Sequence, residues 1–270
     1  MLKRLIHSAL GLAFLMSATL ANAGGFSPED VVKVDILPGW RTAKGTHMSA
    51  LRVQLEPGWK TYWRAPGQSG IPPRFDWAGS RNLGAVKFHW PTPQVFNENG
   101  LQTIGYKNQL ILPMELTPKQ RGGDIILRAE VELGVCEDIC IPVSLRIAAN
   151  LDNYQQRDRR ISSAMSDRPA TAKEARMRAI SCAVEPISDG LRLTAQIDMP
   201  QLGANEIAVF ELPDQTIWVS EATTRRQGGS LLAVSDMVPP SNKPFLLDRS
   251  QVRITVMAAG RAVEIWGCKS

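Results

Sequence analysis

Residues 125–147 read IILRAEVELGVCEDICIPVSLRI, two apolar or alternating runs separated by a short polar turn. Such runs are typical of β-strands, and the three residues 137–139 are a common length for a hairpin loop. Cys136 and Cys140 would then form the last cross-strand pair, with Cα atoms roughly 4.5–5.5 Å apart. This spacing lies within the range of about 4.4–6.8 Å in which a disulfide closes. The stretch therefore predicts a hairpin with a disulfide at its tip.

The chemistry of this disulfide follows from the length of its loop. A disulfide that closes so short a loop removes little entropy from the unfolded chain, so it adds less stability than a long-range one. A pair at the tip of a hairpin is also well placed to open and close. These features favour redox chemistry at Cys136 and Cys140.

The N-terminal residues predict export from the cell. Lys3 and Arg4 precede an apolar run over residues 5–20, and residues 21–23 have the A-x-A pattern of a cleavage site. The run is too short and wrongly flanked for a lasting membrane span. An exported chain with an even number of cysteines is expected in an oxidising compartment. We predict a cleaved signal peptide over residues 1–23 of bacterial type, and hence a periplasmic protein.

Composition adds few functional constraints. The chain is 44% hydrophobic and 21% charged, as is common for globular proteins with a core. Its net charge of +5 falls by two, to +3, when Lys3 and Arg4 are removed. This charge is too mild to indicate nucleic-acid binding, and no basic run is interleaved with aromatic residues. A length of 270 residues favours two domains over one.

The hydrophobic pattern divides the chain into two β-rich parts. Short alternating runs with Gly, Pro and Asn between them predict a first β-sandwich over residues 25–150. Residues 151–179 are polar and Ala-rich, and predict a linker with helical turns over 154–160 and 172–178. A second sandwich is predicted over residues 180–270. The expected strands are 46–55, 86–90 and 109–116 in the first part, and 191–197, 206–210, 231–234 and 252–256 in the second.

Cys182 and Cys268 lie near the two ends of the second predicted sandwich. A disulfide between them would close most of that domain, and a loop near 100 residues is worth about 4.7 kcal/mol in the entropic model. We therefore expect Cys182–Cys268 to be a structural disulfide. Two unpaired thiols are the less favoured alternative in an exported protein.

Several motifs of the first part resemble a known family when they are taken in order. They are GWKTYWR (58–64), WPTP (90–93), IGY (104–106), LILP (110–113) and VCEDICIP (135–142). Together they resemble the N-terminal periplasmic domain of the thiol:disulfide interchange reductases (the DsbD family), and more closely its copper-tolerance relatives of the ScsB type. The resemblance covers roughly residues 30–150, and a region of two sandwiches is also similar to the copper-tolerance branch.

The resemblance implies a fold and a function. The fold class is then all-β, with two immunoglobulin-like β-sandwich domains joined by a partly helical linker. The function is that of a protein-disulfide reductase component without a cofactor, which passes electrons to or from thioredoxin-like partners in disulfide reduction, cytochrome c maturation or copper tolerance. Cys140 would form the mixed disulfide with the partner and Cys136 would resolve it. Glu137 and Asp138 should oppose thiolate formation by like charge.

The resemblance also assigns neighbours to the cysteines. Residues 99–106 match a cap loop, with Thr103 and Ile104 where relatives carry an aromatic ring over the disulfide. Tyr106 or Phe96 is the candidate to replace that ring, and both are equally consistent with core positions. Tyr62 matches a family tyrosine beside the cysteines. The alternative for Tyr62 is a strand aromatic whose hydroxyl reaches water.

The electron source is expected to be a separate protein. The sequence contains neither a transmembrane conduit nor a thioredoxin-like domain, so we expect a membrane-embedded thiol reductase to supply electrons. Contact with the membrane would occur only through that partner.

Two alternatives from other functional classes remain open. The chain is also consistent with a non-catalytic binding or assembly protein in which both disulfides are structural. Soft thiolates select Cu(I), so a Cu(I)-handling protein is a further alternative. Zinc needs about four ligands, and His47 and His89 are the only histidines after the signal peptide. We expect no metal ion and no nucleic acid.

Overall fold

The structure is a computed structural model that describes residues 27–98, 100–152, 156–240 and 245–268. The predicted signal peptide lies outside these residues. After a 3₁₀ turn at Pro28–Asp30, the first part contains β1 (Val32–Arg41), β2 (His47–Leu55), β3 (Lys60–Gly67), β4 (Arg74–Asp76), β5 (Leu83–Phe88), β6 (Gln94–Glu98), β7 (Leu101–Lys107), β8 (Gln109–Pro118), β9 (Ile125–Cys136) and β10 (Cys140–Leu151).

The remainder begins with the helix α1 (Arg159–Ser166) and continues with further strands. These are β11 (Ala170–Thr171), β12 (Ala179–Pro186), β13 (Leu191–Asp198), β14 (Ile207–Glu211), β15 (Trp218–Val219), β16 (Thr223–Gln227), β17 (Ser230–Val238), β18 (Arg253–Ala258) and β19 (Arg261–Trp266), with a 3₁₀ turn at Arg249–Gln251 before β18. No helix among the described residues is long and apolar enough to cross a membrane.

The first part is a sandwich of two antiparallel sheets. One sheet has the order β1-β2-β8-β5, and the other has the order β10-β9-β3-β7-β6, with β4 also paired to β9. Strand β9 shows why the layers form, since Leu127 and Val131 are buried whereas Arg128 and Glu130 are exposed. This alternation turns one face of the strand to the core and the other to solvent. Leu127 and Val131 join Trp63 in the core cluster between the sheets.

The second part is also a sandwich. Its sheets have the orders β11-β19-β18-β14 and β12-β13-β17-β15, with β16 also paired to β17. Leu193 and Ile197 of one sheet and Phe210 and Ile254 of the other lie in a shared buried cluster. The predicted all-β, immunoglobulin-like fold class is therefore confirmed.

The segment between the sandwiches differs from the prediction in two respects. Helix α1 begins only at Arg159, because Asp158 caps it by accepting a hydrogen bond from the Arg160 backbone N–H; residues 153–155 lie outside the described part. The predicted helical stretch 172–178 is a turn instead, which ends with Arg176 at φ +55. A non-glycine residue in the left-handed region cannot continue a right-handed helix.

The segment 151–179 also packs against both sandwiches. Ile161 of α1 is fully buried against Leu37, Met48 and Ala50 of the first sandwich. Strand β11 pairs in parallel with β19 and so extends a sheet of the second sandwich. The segment is therefore part of the packed structure rather than a free spacer.

Arg64, in the middle of β3, joins the two sandwiches directly. Its guanidinium donates two hydrogen bonds to the carboxylate of Glu211, at 2.9 and 3.0 Å, and one to Glu264 at 2.7 Å. Met257 and Ala262 of the second sandwich also belong to the core cluster of the first. Apolar burial and a bidentate ion pair thus hold the sandwiches together.

Candidate functional site

The hairpin of β9 and β10 carries the cysteine pair as the sequence predicts. Cys136 opposes Cys140 in the strand register, residues 137–139 form the loop, and the two cysteines are joined by a disulfide. Their Cα atoms are 4.2 Å apart, slightly closer than expected. This distance is near the value of about 4.5 Å for the closely spaced type of antiparallel pair.

The two sulfur-bearing residues differ sharply in exposure. Cys136 is 2% exposed, whereas Cys140 on the other side of the same disulfide is exposed. Ile139, which precedes Cys140 in the loop, is 73% exposed and is one of the large apolar residues on the surface. An attacking thiolate approaches a disulfide through its accessible sulfur, so Cys140 is the reachable end of the pair.

Tyr62 contacts both sulfurs. Its hydroxyl lies 2.9 Å from Cys136 Sγ and 3.1 Å from Cys140 Sγ. Burial raises the pKa of the Tyr62 hydroxyl above its usual value, and the negative charge of Glu98 raises it further. The hydroxyl therefore stays protonated at neutral pH and can donate a hydrogen bond to a sulfur.

Two glycines make room for the Tyr62 ring. A Cβ at Gly134 would lie 2.9 Å from Cδ2 of Tyr62, and a Cβ at Gly70 would lie 2.9 Å from Cδ1. A side chain at Gly134 would also meet Ile71 Cβ at 2.5 Å, and one at Gly70 would meet Pro66 Cβ at 2.3 Å, so either would crowd the ring and the residues around it. Sequence reasoning missed both glycines, because Gly70 follows a turn and Gly134 lies in a strand, and their proximity to one ring depends on how these segments fold together.

The outer face of the six-stranded sheet carries the cysteines. Lys60 opposes Cys136 in the β3–β9 register, and Phe96 opposes Thr103 in the β6–β7 register. Because side chains alternate across a strand, several functional candidates share this face, which we call the sulfur face. It is formed by Cys136, Cys140, Lys60, Tyr62, Phe96 and Glu98.

Lys60 is a functional candidate that sequence reasoning missed. Its side chain is only 7% exposed and forms an ion pair with Glu98, whose side chain is 56% exposed. The Lys60 ammonium also lies 5.2 Å from the centre of the Phe96 ring. The available signal was the position of Lys60 two residues before Tyr62, which puts both on the same face of a strand.

The predicted cap segment is a strand rather than a loop. Residues 101–107 form β7, paired on one side with β6 and on the other with β3, and Asn99 lies outside the described residues. Ile104 belongs to the sandwich core, and Tyr106 donates its hydroxyl to the Pro91 carbonyl at 2.9 Å. Both face the core, which corrects their assignment as cap residues. Continuous strand pairing keeps their side chains on that side of the sheet.

Thr103 and Phe96 are on the opposite side of the sheet from that core. Thr103 is buried, and its hydroxyl has no hydrogen-bond partner among the described residues. Phe96 is half-buried and covers the Lys60 ammonium. Of the predicted neighbours, Tyr62 contacts both sulfurs. Thr103 and Phe96 lie on the sulfur face of the sheet.

Cys182 and Cys268 form a second disulfide, as expected from the sequence. Cys182 lies in β12 of one sheet, and Cys268 follows β19 of the other sheet of the second sandwich. Arg249 contacts both ends, since it donates to the Cys182 carbonyl at 3.1 Å and accepts from the Cys268 N–H at 3.0 Å. This disulfide joins two layers, whereas Cys136–Cys140 joins neighbouring strands of one layer.

Residues 28–151 match the family described as the thiol:disulfide interchange protein DsbD, N-terminal. These residues form a DsbD N-terminal-like domain. The match ends at the last residue of β10 and therefore includes the cysteine hairpin. The family assignment made from the sequence motifs is confirmed for this part of the chain, and it supports a thiol:disulfide exchange module.

The structural similarity extends beyond the DsbD N-terminal-like domain. The chain is similar to the N-terminal periplasmic domain of ScsB from Proteus mirabilis, with a TM-score of 0.67 and 22% sequence identity. The similarity covers 91% of this chain and 96% of the ScsB chain, so it includes both sandwiches. At this identity it shows a shared fold. No curated protein sequence matches the chain.

Proposed function

We propose that this chain is a periplasmic thiol:disulfide exchange protein that acts through Cys136 and Cys140 on thioredoxin-like partners. The contrast in exposure within one disulfide carries the proposal, because Cys140 is exposed and Cys136 is 2% exposed. A partner thiolate reaches Cys140 first, and Cys136 is kept for the intramolecular step. Each cysteine thereby has a different role.

The exchange proceeds in two balanced steps. In the reductive direction the Cys140 thiolate attacks a sulfur of the partner's disulfide, a mixed disulfide forms, and the partner's other sulfur leaves as a thiolate. The Cys136 thiolate then attacks Cys140 Sγ, and the partner's remaining sulfur leaves. The partner gains two electrons, and the Cys136–Cys140 disulfide is restored. The Tyr62 hydroxyl, within hydrogen-bond distance of both sulfurs, can donate to whichever carries the charge.

The surroundings of Cys140 suit a docking protein. Ile139 offers an exposed apolar side chain beside the reactive sulfur, and burial of such a residue is worth about 1.5–3 kcal/mol. A thioredoxin-like partner with an apolar surface around its own exposed cysteine would bury it. A separate membrane-embedded reductase would recharge the pair, and the predicted signal peptide over residues 1–23 supports a periplasmic location.

Single-cysteine variants test the proposed roles. Cys136→Ala keeps Cys140, and Cys140→Ala keeps Cys136. Each reduced variant is mixed with a thioredoxin-like protein whose one remaining active-site cysteine carries thionitrobenzoate as a mixed disulfide. Attack releases thionitrobenzoate, which is followed by its absorbance. Cys136→Ala should react at least about tenfold faster than Cys140→Ala, because its thiol is exposed.

Two results would contradict the proposal in different ways. Faster reaction of Cys140→Ala would reverse the roles of the two cysteines. If neither variant reacts at a pH where free thiols do, the hairpin disulfide is structural and the exchange function is wrong. Mass spectrometry of the covalent adduct identifies the joined cysteines in either case.

A further inference from the structure

Three strands of the six-stranded sheet place one cysteine and two lysines in a row. Lys60 in β3 opposes Cys136 in β9 on one side and Lys107 in β7 on the other. Side chains directly opposite each other in antiparallel strands share a face, with Cβ atoms about 4.5–5.5 Å apart. The Lys60 side chain therefore starts immediately beside the buried sulfur of Cys136.

The Lys60 side chain is held over this face instead of extending into water. It is 7% exposed, pairs with the Glu98 carboxylate at the end of β6, and lies under the Phe96 ring at 5.2 Å. Burying an ammonium group is costly unless it is paired. A lysine on a surface strand has rotamers that reach solvent. Its enclosure by Phe96 and Glu98 of β6 therefore suggests that its positive charge has a function at this site.

The buried sulfur needs such a charge. When the disulfide opens, Cys136 leaves as a thiolate at a position that is 2% exposed. Desolvation disfavours a buried thiolate, and an opposite charge within about 4–6 Å favours it. Glu137 and Asp138 follow Cys136 directly and act in the unfavourable direction. The Tyr62 hydroxyl supplies a hydrogen bond to this sulfur without a formal charge.

We propose that Lys60 is the cationic partner of the Cys136 thiolate, and that the Lys60 ammonium is paired with the Glu98 carboxylate while the disulfide is closed. The inference rests on the exchange function proposed above. When a partner thiolate attacks Cys140 Sγ, the new disulfide forms, the Cys136–Cys140 bond breaks, and its electron pair stays on Cys136. The positive charge of Lys60, paired until then with Glu98, balances the new negative charge.

The thiol of Cys136 can be titrated directly in a Cys140→Ala background. Its ionisation is followed by the ultraviolet absorbance of the thiolate, with Cys182 and Cys268 still joined. Adding Lys60→Gln should raise the thiol pKa by about one unit or more, the usual size of the effect of a close opposite charge. Lys60→Arg, which keeps the charge, should restore a value near that of the background.

Lys107→Gln is the matched control, because Lys107 lies in the same row but one strand further away and is exposed. Solvent screens an exposed charge, so the shift should be smaller than that of Lys60→Gln. Glu98→Gln should lower the thiol pKa, since it removes the carboxylate that competes for Lys60. The contrast between Lys60→Gln and Lys60→Arg separates the charge of Lys60 from a purely structural role, which would not depend on that charge.

The proposal is overturned if Lys60→Gln and Glu98→Gln leave the thiol pKa at the background value, or if Lys60→Arg shifts it as far as Lys60→Gln. If Lys60→Gln does not fold, Lys60→Met takes its place in the titration: a raised thiol pKa supports the proposal, and an unchanged one overturns it. The titration uses no partner protein. Its failure is therefore distinct from failure of the thionitrobenzoate assay, which tests exchange itself.

Discussion

The two disulfides of this chain differ in almost every property that decides whether a disulfide opens. Cys136–Cys140 spans a sequence separation of 4 and joins neighbouring strands of one sheet. Cys182–Cys268 spans a separation of 86 and joins the two sheets of the second sandwich. The first has an exposed sulfur-bearing residue, whereas Cys182 lies in an apolar core cluster.

In each disulfide, the length of the closed loop and the surroundings of the sulfurs have the same effect on how readily the disulfide opens. The entropic stabilisation by a disulfide grows with the length of the loop that it closes. The short loop of the hairpin therefore contributes little, and its sulfurs contact the Tyr62 hydroxyl, a polar donor. The long loop contributes much, and one of its cysteines is packed among apolar side chains. The same covalent bond is thus suited to exchange in one sandwich and to stability in the other.

The largest expected effect is on stability. Replacing both Cys182 and Cys268 by alanine should lower the free energy of unfolding by roughly 4.5 kcal/mol, whereas replacing Cys136 and Cys140 should cost roughly 2 kcal/mol. The difference comes from the sequence separations of 86 and 4. Urea denaturation of the two double variants measures both values. Equal losses of stability would show that Cys182–Cys268 does not stabilise the fold more than Cys136–Cys140.

The next effect concerns the ion pairs that join the sandwiches. Arg64→Ala removes the closer of two cations from the largely buried carboxylates of Glu211 and Glu264, and Arg253 remains beside both at 3.6 and 4.0 Å. We expect a loss of about 2 kcal/mol, less than for a fully buried pair because all three groups retain some exposure. Urea denaturation with a fluorescence signal from each sandwich should show separate transitions where the parent shows one.

Arg192→Ala is the control for that experiment. Arg192 forms a bidentate pair with Asp236 on the exposed surface of the second sandwich alone. An exposed pair is worth less than about 1 kcal/mol. If Arg192→Ala costs as much as Arg64→Ala, the Arg64 ion pairs do not hold the two sandwiches together.

Removal of the Tyr62 hydroxyl should change the redox equilibrium of the hairpin disulfide. A hydrogen bond to a charged acceptor is stronger than one to a neutral acceptor by about 1 kcal/mol. Tyr62→Phe therefore disfavours the thiolate form, and the equilibrium with glutathione should move roughly fivefold toward the disulfide. Gel shifts after thiol alkylation measure the fraction oxidised.

Tyr106→Phe is the matched variant for Tyr62→Phe. The Tyr106 hydroxyl donates to the Pro91 carbonyl in the core, away from the sulfurs. Its loss should reduce stability and leave the glutathione equilibrium unchanged. A shift in Tyr106→Phe as large as that in Tyr62→Phe would assign the effect to general loosening of the sandwich.

The smallest expected effect is a difference in acid sensitivity between the sandwiches. Burial lowers the pKa of both His47 and His89, with nearby positive charge acting in the same direction. The unfolded chain takes up protons near the usual histidine pKa of about 6.5, while the folded state takes them up only at lower pH. Stability from these residues is therefore present above about pH 6.5 and lost as the pH falls below it.

The second sandwich contains no histidine, so it should lack this contribution. Hydrogen exchange of core amides in β8 and β17, corrected for the intrinsic pH dependence, compares the two sandwiches between about pH 7 and about pH 5.5. Equal destabilisation of the two would show that carboxylates, not histidines, dominate in this range.

Local sequence signals predicted the elements of the fold well. The alternation in residues 125–147 predicted β9 and β10, and the loop length predicted the pairing of Cys136 with Cys140, which the register shows. The signals failed where a local preference competes with long-range pairing. The segment that matches a cap loop became β7 because β3 and β6 pair with its two edges. Strand β6 directly precedes β7 and forms a hairpin with it, whereas β3 is distant in sequence and supplies the long-range pairing.

The surroundings of the site were harder to predict than its sulfurs. Lys60 and Glu98 are 38 residues apart in sequence and form an ion pair, and Gly70 and Gly134 meet on opposite edges of one ring. Such contacts depend on strand order and on how a hairpin folds over a sheet. A periodic pattern reports which face of a strand is apolar, but it does not report which strand lies beside it.

The sequence by itself determined an all-β chain with a short-loop cysteine hairpin and a second, distant cysteine pair, because alternation, turn residues and loop length are local properties. Only the tertiary structure decided which sulfur is reachable and which charges surround the other. Cys136 is buried beside Lys60 because β9 lies between β10 and β3, whereas Cys140 is exposed on β10 at the edge of the sheet. Accessibility and electrostatic environment are properties of packed neighbours, and these neighbours are distant in the chain.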